Sequence, residues 1–139
     1  YDDSRAVFKP EINSRVLSDL TDEQLINSYD NTIVETDYFL WNVIGRIKGR
    51  NAVMIYISDH GEALGENGNY LHGGDYPQLH NPAMLVWYSH SYAATFPEKT
   101  NAVKEQRNIS ASTDIIFHSV VDAASLKTDA VDLSLSVFS

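Results

Sequence analysis

Residues 52–58, Ala-Val-Met-Ile-Tyr-Ile-Ser, form a short apolar run that ends abruptly at Asp59-His60-Gly61-Glu62. A second run, Met84 to Tyr88, follows a stretch rich in glycine and asparagine. Runs this short, apolar at consecutive positions rather than at alternate ones, fit strands covered on both faces. That is the pattern of a mostly parallel sheet with helices on each side. The flanking segments supply the helices. Thr21-Asp22-Glu23-Gln24 reads as a capping box. Leu25, Tyr29, Ile33, Leu40, Val43, Ile44 and Ile47 then recur mainly in steps of three and four. This spacing predicts an amphipathic helix of about seven turns that ends near Gly49 and turns those residues inward. Asp22 and Glu23 in its first turn, and Arg46 and Lys48 in its last, suit the helix dipole. Glu35 and Asp37 are expected on its solvated face.

Elsewhere the pattern is weaker. A short helix is possible at 11–18, an exposed one at 97–106, and an amphipathic one at 110–126 with Ile115, Ile116, Val120 and Val121 inward. His118 falls one turn after Asp114, which predicts an intrahelical polar pair. Beyond Leu126 the loose alternation allows a terminal strand or an unpacked tail. Trp41 and Trp87 are expected in a core or an interface. Helix, strand, loop, strand, helix is an α/β order. Two strands are too few for a complete sheet, so the chain is expected to be one partial domain, 1–139. Its open edge invites self-association. The start at Tyr1 also reads as a piece of something longer.

Composition narrows the function. The chain has 139 residues, 43% of them hydrophobic, which is globular. Ten Lys and Arg against nineteen Asp and Glu give a net charge of −9. With no basic stripe, nucleic acid is a poor partner. A phosphate-bearing substrate stays possible, because a bound divalent cation inverts the local field. The absence of cysteine removes disulfides and thiolate zinc sites. No run is long enough to span a bilayer.

The chemistry collects where the first strand ends, the usual place for ligands in an open α/β sheet. Asp59 and His60 are adjacent there. Their side chains would diverge in a strand, so the chain must turn, and Gly61 permits a turn. Carboxylate plus imidazole suits zinc, and manganese would be tolerated. Glu62 could orient an imidazole N–H. His72 could complete the site, bind a second ion, or contact a substrate oxygen. Glu66, Asn67 and His80 could line a pocket, with loop capping the alternative for Glu66 and Asn67. His80 and His90 otherwise read as solvated.

Four blocks carry a resemblance: SYDNTIVETDYFL (28–40), YISDHGEALGENGNYLHG (56–73), NPAMLVWYSHSY (81–92) and STDIIFHSVVD (112–122). In this order they resemble the phosphoethanolamine transferases of Gram-negative inner membranes, in the alkaline phosphatase/sulfatase superfamily. The resemblance implies an incomplete three-layer sulfatase-like domain, mostly parallel sheet with helices on both faces. It implies a periplasmic catalytic domain with a membrane anchor outside this sequence. It further implies phosphatidylethanolamine as donor and lipid A, a lipopolysaccharide core sugar or a periplasmic glucan as acceptor. A zinc-activated threonine would carry the phosphoethanolamine between them.

Residue by residue, Asp59 and His60 match two primary zinc ligands, and His72 matches a histidine at the phosphate or a second zinc. Trp87, Ser89 and Tyr92 match a W-x-S-x-x-Y pattern that supports the strand end. The nucleophilic threonine and its partner glutamate belong to a segment ahead of Tyr1, so these 139 residues are expected to be inactive alone. Residues 73–82 depart from the family by being neutral to acidic where a basic segment is usual. Two alternatives remain: a sulfatase or phosphodiesterase-type hydrolase of the same superfamily, and a non-catalytic acidic binding module.

Overall fold

The computed structural model describes residues 1–139 and divides them into two compact units. One comprises Tyr1–Gly45 and Ile57–Ala83, the other Arg46–Tyr56 and Met84–Ser139.

Helix α1, Asp22–Ile47, begins at the predicted capping box. The Thr21 N–H donates to Gln24 Oε1 at 3.0 Å, and the Gln24 N–H donates to Thr21 Oγ1 at 3.2 Å. Its first turns bury a polar row that the apolar spacing did not suggest. Gln24, Ser28 and Asn31 are buried beside Leu25, and Glu35 continues their face. These side chains hold the irregular residues before the helix. Gln24 Nε2 donates to Glu11 O at 3.1 Å, and Ser28 Oγ accepts from the Ile12 N–H at 2.8 Å. Asn31 Oδ1 accepts from Val7 and Phe8 N–H at 2.8 and 3.0 Å, while its Nδ2 donates to Phe8 O at 3.0 Å. A segment without ladder partners needs its backbone satisfied by side chains, and α1 supplies them.

Two expectations change accordingly. Ile33 is 50% exposed rather than inward, because this part of α1 turns a polar face to its neighbour. Glu35 is half-buried and paired rather than simply solvated: Arg5 donates two bonds of 2.8 Å to it, and that guanidinium holds its carboxyl below the usual range. Trp41, 68% exposed, is outside any core. The helix allowed at 11–18 is reduced to a 3-10 turn at Leu17–Asp19.

The same unit holds the glycine-rich stretch, which is less irregular than its composition suggests. Strands β2 (Ala63–Leu64) and β3 (Tyr70–Leu71) are antiparallel partners, in the order in which they follow β1 (Val53–Ile57). Their turn is a 3-10 segment at Glu66–Gly68, and a second such turn spans Pro77–His80. The Tyr70 hydroxyl donates to Asp22 Oδ1 at 2.9 Å, tying β3 to the start of α1.

In the second unit β1 pairs with β4, Met84–Tyr88. The Ser89 N–H donates to Ala52 O at 2.9 Å, joining the end of β4 to the beginning of β1, so this pair is antiparallel. The α/β class stands. A consecutive apolar run reports burial on both faces and carries no information on strand direction, and mixed sheets accommodate such a pair. Ser89 also caps α2 (His90–Thr95), a helix too short for periodicity to reveal, by accepting from the Tyr92 N–H at 3.1 Å. Helices α3 (Pro97–Gln106) and α4 (Ile115–Ala123) follow.

Tyr92, Ala123 and Phe138 form the core, with Val53, Ile55, Val86, Tyr88, Phe96, Val103 and Val137 packed around them. The terminal residues are therefore packed, neither strand nor loose tail. They form a 3-10 turn at Leu133–Leu135 and then bury Phe138. Val120, expected inward, is half exposed. His118 pairs with the terminal segment rather than with Asp114: its Nδ1 accepts from the Asp132 N–H at 2.9 Å.

Candidate functional site

Beyond β1 the chain turns at Asp59 and His60. The turn is closed by Ser58, whose hydroxyl donates to His60 O at 2.6 Å, and by the Asp59 carboxylate, which accepts from the His60 N–H at 3.1 Å. Gly61 is required for a different reason from the one its conformational freedom suggests. A Cβ at Gly61 would lie 2.0 Å from the backbone oxygen of Gln78, and the Gly61 N–H donates to Leu79 O at 3.0 Å. The Pro77–His80 turn thus lies directly against the backbone between His60 and Glu62.

Three side chains meet here. Ligand atoms of His60, Glu62 and His72 all lie within 4.8 Å of one another. His60 Nδ1 is 2.6 Å from Gly61 O. A carbonyl only accepts, so Nδ1 carries the proton and the Nε2 lone pair of the neutral ring is free. That bond pushes the His60 pKa up, and the charges of Asp59 and Glu62 add to it. His72 Nδ1 is 3.1 Å from both oxygens of Glu62. The carboxylate fixes the ring in the same way and leaves the second Nε2 free. The two imidazoles lie 5.0 Å apart at their centroids. Leu71, just before His72, has φ 57°, a left-handed conformation that is uncommon for a bulky side chain. The backbone is strained where it must present His72.

The other expected residues are placed as follows. Asp59 stands outside the trio, its side chain 89% exposed, with Oδ2 3.9 Å from His60 Nε2. Two ligands each roughly 2.0–2.2 Å from a zinc ion are at most about 4.4 Å apart, so these two atoms can reach one ion. Glu66 Oε2 accepts from the Leu64 N–H at 2.7 Å, so Glu66 caps the hairpin. Asn67 is exposed at φ 55°, a turn position that asparagine tolerates. His80 Nε2 lies 2.6 Å from Asp75 Oδ1, on exposed side chains. The sequence reading overlooked Asp75 and Gln78. The signal for Asp75 was a carboxylate five positions before a loop histidine. Gln78 had none, because its place depends on backbone packing against Gly61.

Two imidazoles with their Nδ1 protons engaged, and two carboxylates beside them, form a donor set that fits zinc. The set is oxygen-poor for calcium.

The chain is 34% identical over 131 residues to phosphoethanolamine transferase EptA of Salmonella typhimurium, covering 87% of this chain and 24% of that protein. It is 40% identical over 120 residues to phosphoethanolamine transferase EptA of Helicobacter pylori, covering 83% and 22%. It therefore spans about a quarter of the length of these curated relatives. Among solved structures it is similar to the soluble domain of lipooligosaccharide phosphoethanolamine transferase A from Neisseria meningitidis. The TM-score is 0.85 at 28% identity, over 99% of this chain and 44% of that one. It is also similar to the C-terminal periplasmic domain of phosphoethanolamine transferase EptC from Campylobacter jejuni. There the TM-score is 0.83 at 33% identity, over 99% and 45%. With the sulfatase family model matching residues 1–126, nearly the whole length and all of the His60–Glu62–His72 cluster, this chain belongs to the sulfatase family.

Proposed function

We propose that these residues form one wall of a zinc-dependent phosphoethanolamine transfer site. The full-length protein would move phosphoethanolamine from phosphatidylethanolamine to an envelope glycolipid or glycan at the periplasmic face of a Gram-negative inner membrane. The observation that carries the reading is the matched state of the two histidines. Gly61 O and Glu62 each engage an Nδ1 proton, so both Nε2 atoms stand ready as ligands or hydrogen-bond partners.

In this reading Asp59 and His60 hold the ion. Glu62 orients His72, and His72 serves the phosphoryl group or a second ion. Manganese would be accepted less well. A bound zinc would polarise a phosphoryl oxygen and lower the pKa of a coordinated hydroxyl. Phosphoryl transfer depends mostly on positioning and charge stabilisation, and the chain's own residues supply the positioning. Glu62 keeps His72 Nδ1 engaged, which directs Nε2 to a non-bridging oxygen or to a leaving alkoxide that needs a proton. His60 is held by its neighbour's carbonyl rather than by a flexible partner.

The nucleophilic threonine and the remaining ligands are assigned to residues outside these 139, so this stretch alone is expected to give no turnover. The hydrolase alternative stays within the same superfamily; the 34% identity to a phosphoethanolamine transferase over 87% of the chain favours transfer. Zinc titration by calorimetry tests the reading. His60→Ala or Asp59→Ala in the full-length protein should weaken zinc by more than about 100-fold, beyond the loss typical of a residue that only orients a ligand. Unchanged affinity in both would remove the metal assignment. Phosphoethanolamine transfer by the isolated 139 residues would refute the division of the site.

A further inference from the structure

The second unit contains a cavity of about 540 Å³. Met84 and Val86 of β4, Val103 of α3, Ile115 of α4, and Leu135 and Val137 of the terminal segment form its walls. Val86, Val103 and Val137 also pack against the core of Tyr92, Ala123 and Phe138, so the cavity is an unfilled continuation of that core. Protein interiors hold few voids larger than a water molecule. An apolar cavity stays dry and accepts apolar molecules. This one falls within the about 300–1,000 Å³ usual for small-molecule sites. No residue of the His60–Glu62–His72 cluster lines it.

The polar groups on the cavity decide what else an occupant carries. Three are already engaged within the chain. Gln106 Nε2 donates to Ser139 O at 2.7 Å, Ser112 Oγ to Asp114 Oδ2 at 3.0 Å, and Ser134 Oγ to Asp132 Oδ1 at 2.7 Å. Arg107 and Ser110 remain, both exposed at the mouth beside Ile109. Arg107 takes part in none of the chain's ion pairs. It is also the one charged side chain that lines the cavity. Of the carboxylates near it in sequence, Glu105 falls on the opposite side of α3 from Val103. Asp114 lies outside the lining and is held by Ser112. An exposed arginine marks nothing by itself. At the rim of an apolar cavity it selects: a cationic head is repelled and a carboxylate is bound, while the walls take a hydrocarbon chain.

We propose that this cavity binds a single-chain fatty acid, its tail between β4, α3 and the terminal segment and its carboxylate at Arg107 and the Ser110 hydroxyl. The site goes beyond phosphoethanolamine transfer and does not rest on it.

The test uses the full-length protein in phosphatidylcholine vesicles, at mildly alkaline pH so that the carboxyl is ionised. The probes are palmitate and hexadecanol, each with a photoreactive diazirine on its chain. Mass spectrometry after digestion should find the palmitate label on residues 84–86, 103–115 and 135–137, and unlabelled palmitate should displace it. Val103→Phe, which fills the cavity, should raise the half-saturating palmitate concentration about tenfold. Arg107→Gln, at an exposed position, should raise it about two- to fivefold, the range of a solvent-screened charge pair, and leave hexadecanol within about 1.5-fold. Thermal melting checks that Val103→Phe is folded; if it is not, Arg107→Gln alone decides. Label absent from the three segments overturns the proposal, and a cavity filled by chain outside these 139 residues would give that result. Equal responses of the two probes to Arg107→Gln, or unchanged palmitate binding in a folded Val103→Phe, overturn it as well.

Discussion

Asp122 and Glu62 are both carboxylates facing a nitrogen base, and they differ in what else they touch. The Asp122 side chain is 8% exposed and accepts from Lys99 Nζ, Ser136 Oγ and Ser139 Oγ, each at 2.6 Å. Lys99 also reaches the Asp122 backbone oxygen, and Gln106 Nε2 donates to Ser139 O at 2.7 Å. Both oxygens of that carboxylate are engaged from within the chain, and the result clamps the last residues over Phe138. The Glu62 side chain is 17% exposed and faces one partner, His72, whose own side chain is 62% exposed. The first cluster is closed and the second is open. A polar group whose partners are all internal holds the fold. A polar group that fixes one face of a histidine and leaves the other face free prepares a site.

The sharpest way to break this contrast is to remove each carboxylate. Asp122→Ala leaves the Lys99 ammonium, 14% exposed, without its counter-charge. Removing one member of a buried pair costs about 3–5 kcal/mol, so urea denaturation should show a loss of that size. Glu62→Ala should cost under about 1 kcal/mol, because its one partner, His72, is itself largely exposed, yet weaken zinc about 10–100-fold. The reverse ranking would mean that the open cluster is structural.

pH separates the two regions without mutation. Burial pushes the Asp122 carboxyl up, but the bonds from Lys99, Ser136 and Ser139 outweigh it and hold it below the usual range. A folded pKa below the unfolded one contributes stability above about pH 4 and loses it as pH falls through the folded value. At the other end, burial and then the Asp122 charge push the Tyr92 hydroxyl, which donates to Ala123 O at 2.8 Å, up to about 12. A raised pKa gives stability that is complete below about pH 10 and lost as pH rises toward 12. Amide exchange should therefore show residues around α4 and the terminal segment loosening first at both extremes.

Two glycines in the same loop sharpen the comparison at smaller cost. Gly61→Ala places a Cβ 2.0 Å from Gln78 O, and backbone cannot swing aside as a side chain can. A loss of about 1–3 kcal/mol is expected, with weaker zinc binding because His60 and Glu62 flank the displaced residue. Gly73→Ala meets nothing within 4 Å and should be nearly neutral in both measurements. Equal effects at the two positions would show that the Pro77–His80 turn is not seated against the metal residues.

These contrasts mark what the sequence could express. Local signals survived: the Thr21–Gln24 box begins α1, and Pro97–Gln106 is a helix with the predicted bounds. Asp59, His60, Glu62 and His72 were found by residue type, and the structure brings three of them together. What the sequence concealed depends on contacts distant in the chain. Gln24, Ser28 and Asn31 looked like surface residues because the segment they hold has no pattern of its own. Antiparallel pairing of β1 with β4 left no trace in two apolar runs. Gly61 was legible as glycine, but its steric role required the position of Gln78.

The smallest expected effect concerns Leu71, which combines strain with the open site. Its φ of 57° costs a bulky residue on the order of 1–2 kcal/mol, and its side chain is 37% exposed, so little burial offsets that cost. Asparagine tolerates this conformation and forfeits little contact, so Leu71→Asn should stabilise the chain by about 0.5 kcal/mol. If the left-handed turn serves to aim His72 at Glu62, zinc affinity should stay within about twofold, since the turn itself is kept. Leu71→Val has the opposite consequence. A β-branched residue resists φ above zero, so the backbone should relax away from the turn, lowering stability and moving His72 out of reach of Glu62. Zinc titration and thermal melting of the two variants then separate strain that positions a ligand from strain that is incidental. In the first case affinity follows the backbone conformation and not the stability; in the second it changes in neither variant.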